Sequence, residues 1–344
     1  MPASKSANVV RAVAVVGPTG AGKTALAQAL ASAASGGPGA VPAAAGQSTE
    51  TNFTAIDFMG DHYALIDTPG AVDFLADADY ALPAADLAIV VADSDPDKAL
   101  LLQPFLKALE DMQVPHAIFI NKIDQARGRI RDLLEALQPV SALPLVARQV
   151  PIWKDEHVAG FVDLALERAF LYQPGKPSQV IDIPAEMAER ETEARFHMLE
   201  QLADFDDGLM EKLLSDVTPD RDTVYADLVR ELRENLIVPV FFGSTAHGYG
   251  VRRLLKALRH DAPPPQVAAD RLGLKGNGAY VMRISHAGQA GKLAYARVLV
   301  KALSDSDQIT MSDGSSGRPA ALFSVQGSQT KKIASAPEGD VVAI

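Results

Sequence analysis

Cysteine is absent from the 344 residues, which removes disulfides, thiolate metal sites and a cysteine nucleophile and leaves the compartment undecided on that ground. No apolar run reaches about eighteen residues, so no helical membrane span is expected. The apolar segment of MPASKSANVVRAVAVVG passes straight into a glycine loop without a small-residue cleavage site. A cytoplasmic protein with no membrane partner is therefore expected. Cations are in the minority, 32 Lys and Arg against 43 Asp and Glu for a net charge of −11. That balance argues against a chain that coats nucleic acid nonspecifically, and no DNA partner is expected. What is present, 48% hydrophobic and 22% charged residues, is an ordinary globular composition long enough for about two domains.

The charge is unevenly spread. Residues 182–234 hold 16 acidic and 6 basic side chains, net −10, and residues 271–344 hold 9 basic and 5 acidic, net +4. One reading is a solvated helical face in the first case and scatter in the second; the other is an RNA-facing surface on the C-terminal part.

Short apolar runs at 9–16, 63–66, 87–92, 117–120 and 240–242 have the character of strands buried on both faces of a parallel sheet. Helical patterns at 23–34, 98–112, 130–137 and 251–258 alternate with them. The fold class this implies is α/β, a doubly wound, mostly parallel sheet with right-handed crossovers. Between about 151 and 235 the alternation is broken by amphipathic, acidic helical stretches such as AEMAERETEARFHMLEQL, expected to be a helical or mixed insert into the α/β domain. After APPPQ the pattern changes to short strands with turn signals, AYVMRIS, AYARVLVKA, DQITM, KKIASA and GDVVAI, expected to form an antiparallel barrel. The domain expectation is an α/β domain over 1–262 with its insert at about 151–235, a linker over 263–277 and a β-barrel over 278–344. ASGGPGAVPAAAGQS, at 34–48, is the one low-complexity segment and should be mobile.

The chemistry starts at GPTGAGKT. Gly17, Pro18, Thr19, Gly20, Ala21, Gly22, Lys23 and Thr24 fit GxxxxGK[ST] between a strand and a helix, the context that motif requires. Backbone amides would face the phosphates, Lys23 would add a point charge at the β and γ groups, and the Thr24 hydroxyl would reach Mg2+. LIDTPG closes the next buried strand. Alone, DTPG is a common turn; after a P-loop it offers Asp67 to magnesium through water and the Gly70 amide to the terminal phosphate. NKID then names the base, because Asp124 can accept from guanine N1 and N2 while adenine has no donor at either position. Asn121 would steady the loop and the base edge, and the Lys122 stem would cover the ring. FFGST, also at a strand end, puts Ser244 and Thr245 where a backbone amide could meet guanine O6, although such a pair is usually a turn or helix cap.

Taken in this order, the loops resemble the translational GTPases, closest to the N-terminal portion of elongation factor G and elongation-factor-G-like proteins. The resemblance covers nearly the whole chain: GPTGAGKT, LIDTPGAVDF, NKID, the insert with DIPAEM and LMEKLL, FFGSTAHGYGVRRLLKAL and the barrel segment ending EGDVVAI. Elongation factor Tu shares the loops but lacks such an insert. The family implies a P-loop GTPase domain followed by a translation-factor barrel, GTP and GDP as ligands, and hydrolysis on the ribosome, with the barrel facing ribosomal RNA and ribosomal proteins as further partners.

Three departures qualify that expectation. Where the family places a water-positioning histidine after DTPG, this chain has Ala71, which can neither orient water nor stabilise charge. His62, in MGDHY, reads as a solvent-facing residue at the far end of the same strand. The family's magnesium-binding threonine falls, nineteen residues before Asp67, on Ser48; Thr49 and Thr51 are alternatives, and the arginine and isoleucine of the family's sequence are missing here. GDVVAI resembles the penultimate strand of the family's barrel, so an incomplete, truncated barrel with an open edge is expected. Lys23 and Gly70 are left as the electrostatic catalytic groups. Two functions follow: a GTPase slowed by Ala71, or a GTP-dependent ribosome-binding switch with negligible hydrolysis.

Overall fold

The computed structural model describes residues 9–42, 50–70, 75–126, 130–274, 278–286, 291–310 and 314–344. Alternating elements build the first architecture: β1 (Val10–Val16), α1 (Lys23–Ala34), β2 (Asn52–Phe58), β3 (Asp61–Asp67), α2 (Leu75–Ala81), β4 (Leu87–Asp93), α3 (Gln103–Asp111), β5 (His116–Asn121), α4 (Ile130–Leu137) and β6 (Leu145–Ala147). The sheet has seven strands in the order β2-β3-β1-β4-β5-β11-β6, where β11 is Val238–Phe242. β1 runs parallel to β3, and β11 runs parallel to both β5 and β6. β2 alone is shown antiparallel, hairpinned to β3. α8 (Val251–Asp261) follows β11. Every residue of β4, β5 and β11 is buried, which explains why these strands read as continuous apolar runs rather than alternations. The helix expected over 98–112 is two pieces, a 3-10 turn at Pro96–Leu102 and then α3, whose first turn contains Pro104.

The insert is mixed, strands first and helices after. It opens with four antiparallel strands, β7 (Gln149–Lys154), β8 (His157–Asp163), β9 (Arg168–Gln173) and β10 (Lys176–Ile181), in sheet order β10-β9-β8-β7. Only then do α5 (Ala188–Ala203), α6 (Asp207–Leu214) and α7 (Arg221–Arg233) follow. Apolar faces of both layers share one core that includes Val162, Leu164, Met198, Leu202, Val224 and Leu228. Asp206 and Asp220 cap α6 and α7 by accepting from the Leu209 and Thr223 amides, as N-cap aspartates do.

The stretch expected to be a linker also contains structure, α9 (Pro265–Arg271), whose first residue is a proline preset for a helix start. Strands β12 (Ala279–His286), β13 (Lys292–Val298), β14 (Leu303–Ser304), β15 (Ile309–Thr310), β16 (Ser316–Gly317), β17 (Leu322–Gln326), β18 (Gln329–Ile333), β19 (Ser335–Ala336) and β20 (Val341–Ala343) complete the chain. Five of them form a sheet in the order β12-β13-β20-β17-β18. The open edges are β12 and β18; β20, the last strand, is paired on both sides.

By contact, the chain divides into two compact units, one of residues 1–16, 47–88 and 263–344, the other of 17–46 and 89–262. Within the first, β2 meets the barrel strands. Phe53 stacks on Tyr295 at 5.3 Å, Gln326 accepts from the Ala55 amide at 2.9 Å, and the Gly327 amide donates to Phe53 O at 2.7 Å. Covering of this kind protects an edge strand from pairing with another chain. In the second unit, buried pairs tie the insert to the α/β elements, Arg253 to Asp163 at 2.5 Å and Arg148 to Asp261 at 3.2 Å.

Candidate functional site

The glycine loop, the NKID turn and the 244–250 turn all belong to the second unit and are braced on one another. At Gly17, with φ +136°, an added Cβ would lie 2.5 Å from Val91 O; at Gly22, with φ +99°, it would lie 2.4 Å from Asn121 Nδ2. Only glycine satisfies both the backbone and the space. Gly22 also caps α1, so the loop delivers the chain directly into the N-terminus of a twelve-residue helix, a kind of place that suits phosphate. Lys23 begins that helix and is 6% exposed, its Nζ donating to Pro18 O at 3.1 Å.

Asn121 is the strut. Its Nδ2 donates to Ala21 O at 2.9 Å and to Thr245 Oγ1 at 3.3 Å, while its Oδ1 accepts from the Thr245 amide at 3.0 Å. Its side-chain polar atoms are thus committed to protein partners. Lys122 adopts φ +61° and turns its ammonium to Gly20 O at 2.8 Å and Asp93 Oδ2 at 2.7 Å. Burial pushes the Asp93 carboxyl up, yet the hydrogen bonds from Lys122 and Lys98 prevail and hold it below the usual carboxylate range. The ammonium is therefore held between the glycine loop and Asp93.

Asp124 sits in the 3-10 turn Ile123–Gln125. Its Oδ1 is buried and makes no hydrogen bond among the described residues. The Ile123 amide donates to Gly243 O at 3.0 Å, which ties this turn to the end of β11.

The expectation for Ser244 and Thr245 needs revision. The Ser244 amide donates to Tyr249 O at 2.9 Å and the Thr245 amide to Asn121 Oδ1 at 3.0 Å, so both amides are already used. Ala246, the next residue along, is exposed.

Asp67 and Gly70 belong to the first unit. Asp67 ends β3 in register with Val15 of β1 and is 6% exposed. Thr68, fully buried, anchors the turn through its amide at 3.2 Å and its hydroxyl at 3.1 Å, both to Val15 O. His62 lies at the other end of β3, paired with Asp57. Ala71, Ser48 and Thr49 lie outside the described residues. Thr51 is described: it is 1% exposed, its carbonyl accepts from Arg283 Nη1 at 2.7 Å, and its hydroxyl is buried without a partner among the described residues.

Among the described residues no cluster of three or more His, Asp or Glu could hold a metal by itself. No described helix is long and apolar enough to cross a membrane.

Residues 8–264 match the family model of the elongation factor Tu GTP binding domain. The chain is 35% identical, over 97% of its length, to an elongation factor G-like protein of Synechocystis, and 32% identical, over 62%, to elongation factor G of Rhodopirellula baltica. It spans about half of the first relative, 52%, and 31% of the second. Its backbone superposes on the crystal structure of a Thermus thermophilus protein with a TM-score of 0.83, over 98% of this chain and 52% of that one, at 24% identity. That last likeness carries the fold, a P-loop GTPase domain followed by antiparallel β-structure. The chain belongs to the translational GTPases, as a member of the elongation factor Tu GTP-binding domain family with elongation factor G-like relatives.

Proposed function

We propose that the chain binds GTP and GDP with Mg2+, engages the ribosome, and hydrolyses GTP slowly because Ala71 stands where the family has its catalytic histidine. The observation that carries the nucleotide part is Asp124 Oδ1, a buried carboxylate oxygen lacking a partner among the described residues beside a glycine loop that Asn121 and Lys122 hold open. Guanine offers N1–H and N2–H to such an acceptor; adenine offers neither. The Ala246 amide is the donor assigned to O6. Gly17 to Thr24 take the phosphates, Thr24 and Asp67 are assigned to magnesium, and Lys23 with the Gly70 amide stabilise charge on the γ-phosphate. The ribosome enters through the elongation factor G-like relatives and the net +4 of residues 271–344.

A fluorescent-nucleotide titration with GTP, GDP and ATP as competitors tests recognition: guanine nucleotides displace the probe and ATP does not. Equal displacement by ATP would remove the guanine assignment. A second reading, a GTP-dependent switch with negligible hydrolysis, is favoured by Ala71. Single-turnover phosphate release with and without ribosomes separates the two, since only the GTPase is stimulated.

A further inference from the structure

We propose that Tyr172, on β9 of the insert, is a positioning residue for guanine recognition, holding the 244–250 turn in the shape that meets guanine O6; this rests on the nucleotide reading above. The Tyr172 and Tyr249 rings stack with centroids 4.4 Å apart and planes 1° from parallel. Tyr249 in turn closes the turn by exchanging two backbone hydrogen bonds with Ser244, each 2.9 Å, and its ring meets His247 at 5.2 Å. Fixing the Tyr249 ring therefore fixes the span from 244 to 249 that contains the Ala246 amide.

The base of this stack is rigid. Phe161, 1% exposed on β8, packs 5.8 Å from Tyr172, 5.0 Å from Phe170 and edge-on to Phe242 of β11 at 6.3 Å. A column of aromatic rings thus runs from the insert sheet to the guanine turn, and such pairs contribute beyond the area they bury. Other restraints on the turn act at Thr245, through Asn121 and through the Val41 amide at 2.8 Å, between Ser244 Oγ and His247 Nδ1 at 3.5 Å, and at Gly248, where an added Cβ would lie 2.4 Å from Pro38 O. The Tyr172 hydroxyl is buried with no partner among the described residues, so its ring, not its oxygen, is the working part. Burial, with Tyr249 beside it, pushes the phenol well above its usual value and keeps it neutral.

The test is calorimetric titration of the full chain with GDP and with the diphosphate of 2-aminopurine riboside, which lacks O6 and, with it, the N1 proton, but keeps the C2 amine. Tyr172→Leu is expected to weaken GDP about five- to twentyfold, the equivalent of one misplaced hydrogen bond, and to leave the 2-aminopurine nucleotide unchanged. Tyr172→Phe keeps the stack and restores GDP affinity. Tyr249→Leu reproduces the Leu pattern, and thermal melts establish that each variant is folded. GDP binding by Tyr172→Leu at wild-type strength, or equal loss of both nucleotides, overturns the proposal. A wild-type chain that does not prefer GDP to ADP overturns the nucleotide reading and this inference together.

Discussion

A carboxylate oxygen shut away from water without a hydrogen bond forfeits its hydration for nothing, and Asp124 Oδ1 is in that condition among the described residues. A purine edge with two N–H donors would repay that loss, which is the ground for the guanine-reading role proposed for Asp124. Asp124→Asn replaces an acceptor by a donor, and xanthine replaces the guanine C2 amine by a carbonyl. The variant should lose GTP affinity by about ten- to hundredfold and bind xanthosine triphosphate in preference. A competition assay in which GTP still wins would show that another group reads the base. On the proposed reading, Ala71 offers the attacking water no side-chain guide. Ala71→His should raise ribosome-stimulated hydrolysis about tenfold or more at unchanged nucleotide affinity; an unchanged rate on purified ribosomes would count against it.

At the scale of elements, legibility followed the strength of local pattern. α1 occupies Lys23–Ala34 as its periodicity implies, and the fully buried strands announced themselves as apolar runs. The insert strands did not, because their turns are built from unusual residues: Asp155, Glu156 and Glu167 hold positive φ where glycine or asparagine would have signalled a hairpin. β2 alternates exposed and buried residues and follows the low-complexity stretch, and its partner is a barrel distant in sequence. In the site, GPTGAGKT and NKID could be read directly, whereas the use of the Ser244 and Thr245 amides depends on Tyr249 and Asn121, which no local pattern links to them. β5 has its own pH consequence. His116 is fully buried, with Nδ1 2.9 Å from Val114 O and Nε2 unpartnered among the described residues. Burial pushes its pKa below the ordinary value. Protons then bind the unfolded chain first, so stability from this group is full above about pH 6.5 and declines as pH falls below it, by at most about 1.4 kcal/mol per pH unit. Denaturant melts at pH 5 and 7 should show that decline in the wild type and a shallower one in His116→Gln; equal slopes would locate the acid sensitivity elsewhere.

For the molecule as a whole, the charged centre of the unit made of residues 1–16, 47–88 and 263–344 decides how firmly the barrel strands are held. Asp86 and Arg297 are both 0% exposed and paired at 2.5 Å. Asp86 Oδ2 also accepts from the Ala12 amide at 2.8 Å, and Arg297 donates to Ala84 O and, through Nε, to Gly339 O at 3.2 Å. Arg271 stands beside them, donating to Pro83 O at 3.0 Å and Ala85 O at 2.6 Å, and burial lowers its pKa to about 10. One pair therefore joins β13, the 84–86 turn before β4, and β1. Burial raises the Asp86 carboxyl above its usual value despite the neighbouring guanidinium, so the cost of desolvating the charge exceeds what the pair returns. A folded pKa above the unfolded one means that this carboxyl destabilises the protein increasingly as pH rises through and above the ordinary aspartate value near 3.9. Arg297→Met removes the compensation and should cost roughly 3–5 kcal/mol near neutrality, with a steeper loss between pH 4 and 7 than in the wild type. Arg297→Met combined with Asp86→Leu removes both charges and should recover most of that stability, because two apolar side chains leave nothing ionised in the core. Urea melts of the three chains at pH 5 and pH 7 check this, and a double variant no more stable than Arg297→Met would mean that the guanidinium holds the barrel through its carbonyl partners rather than through Asp86.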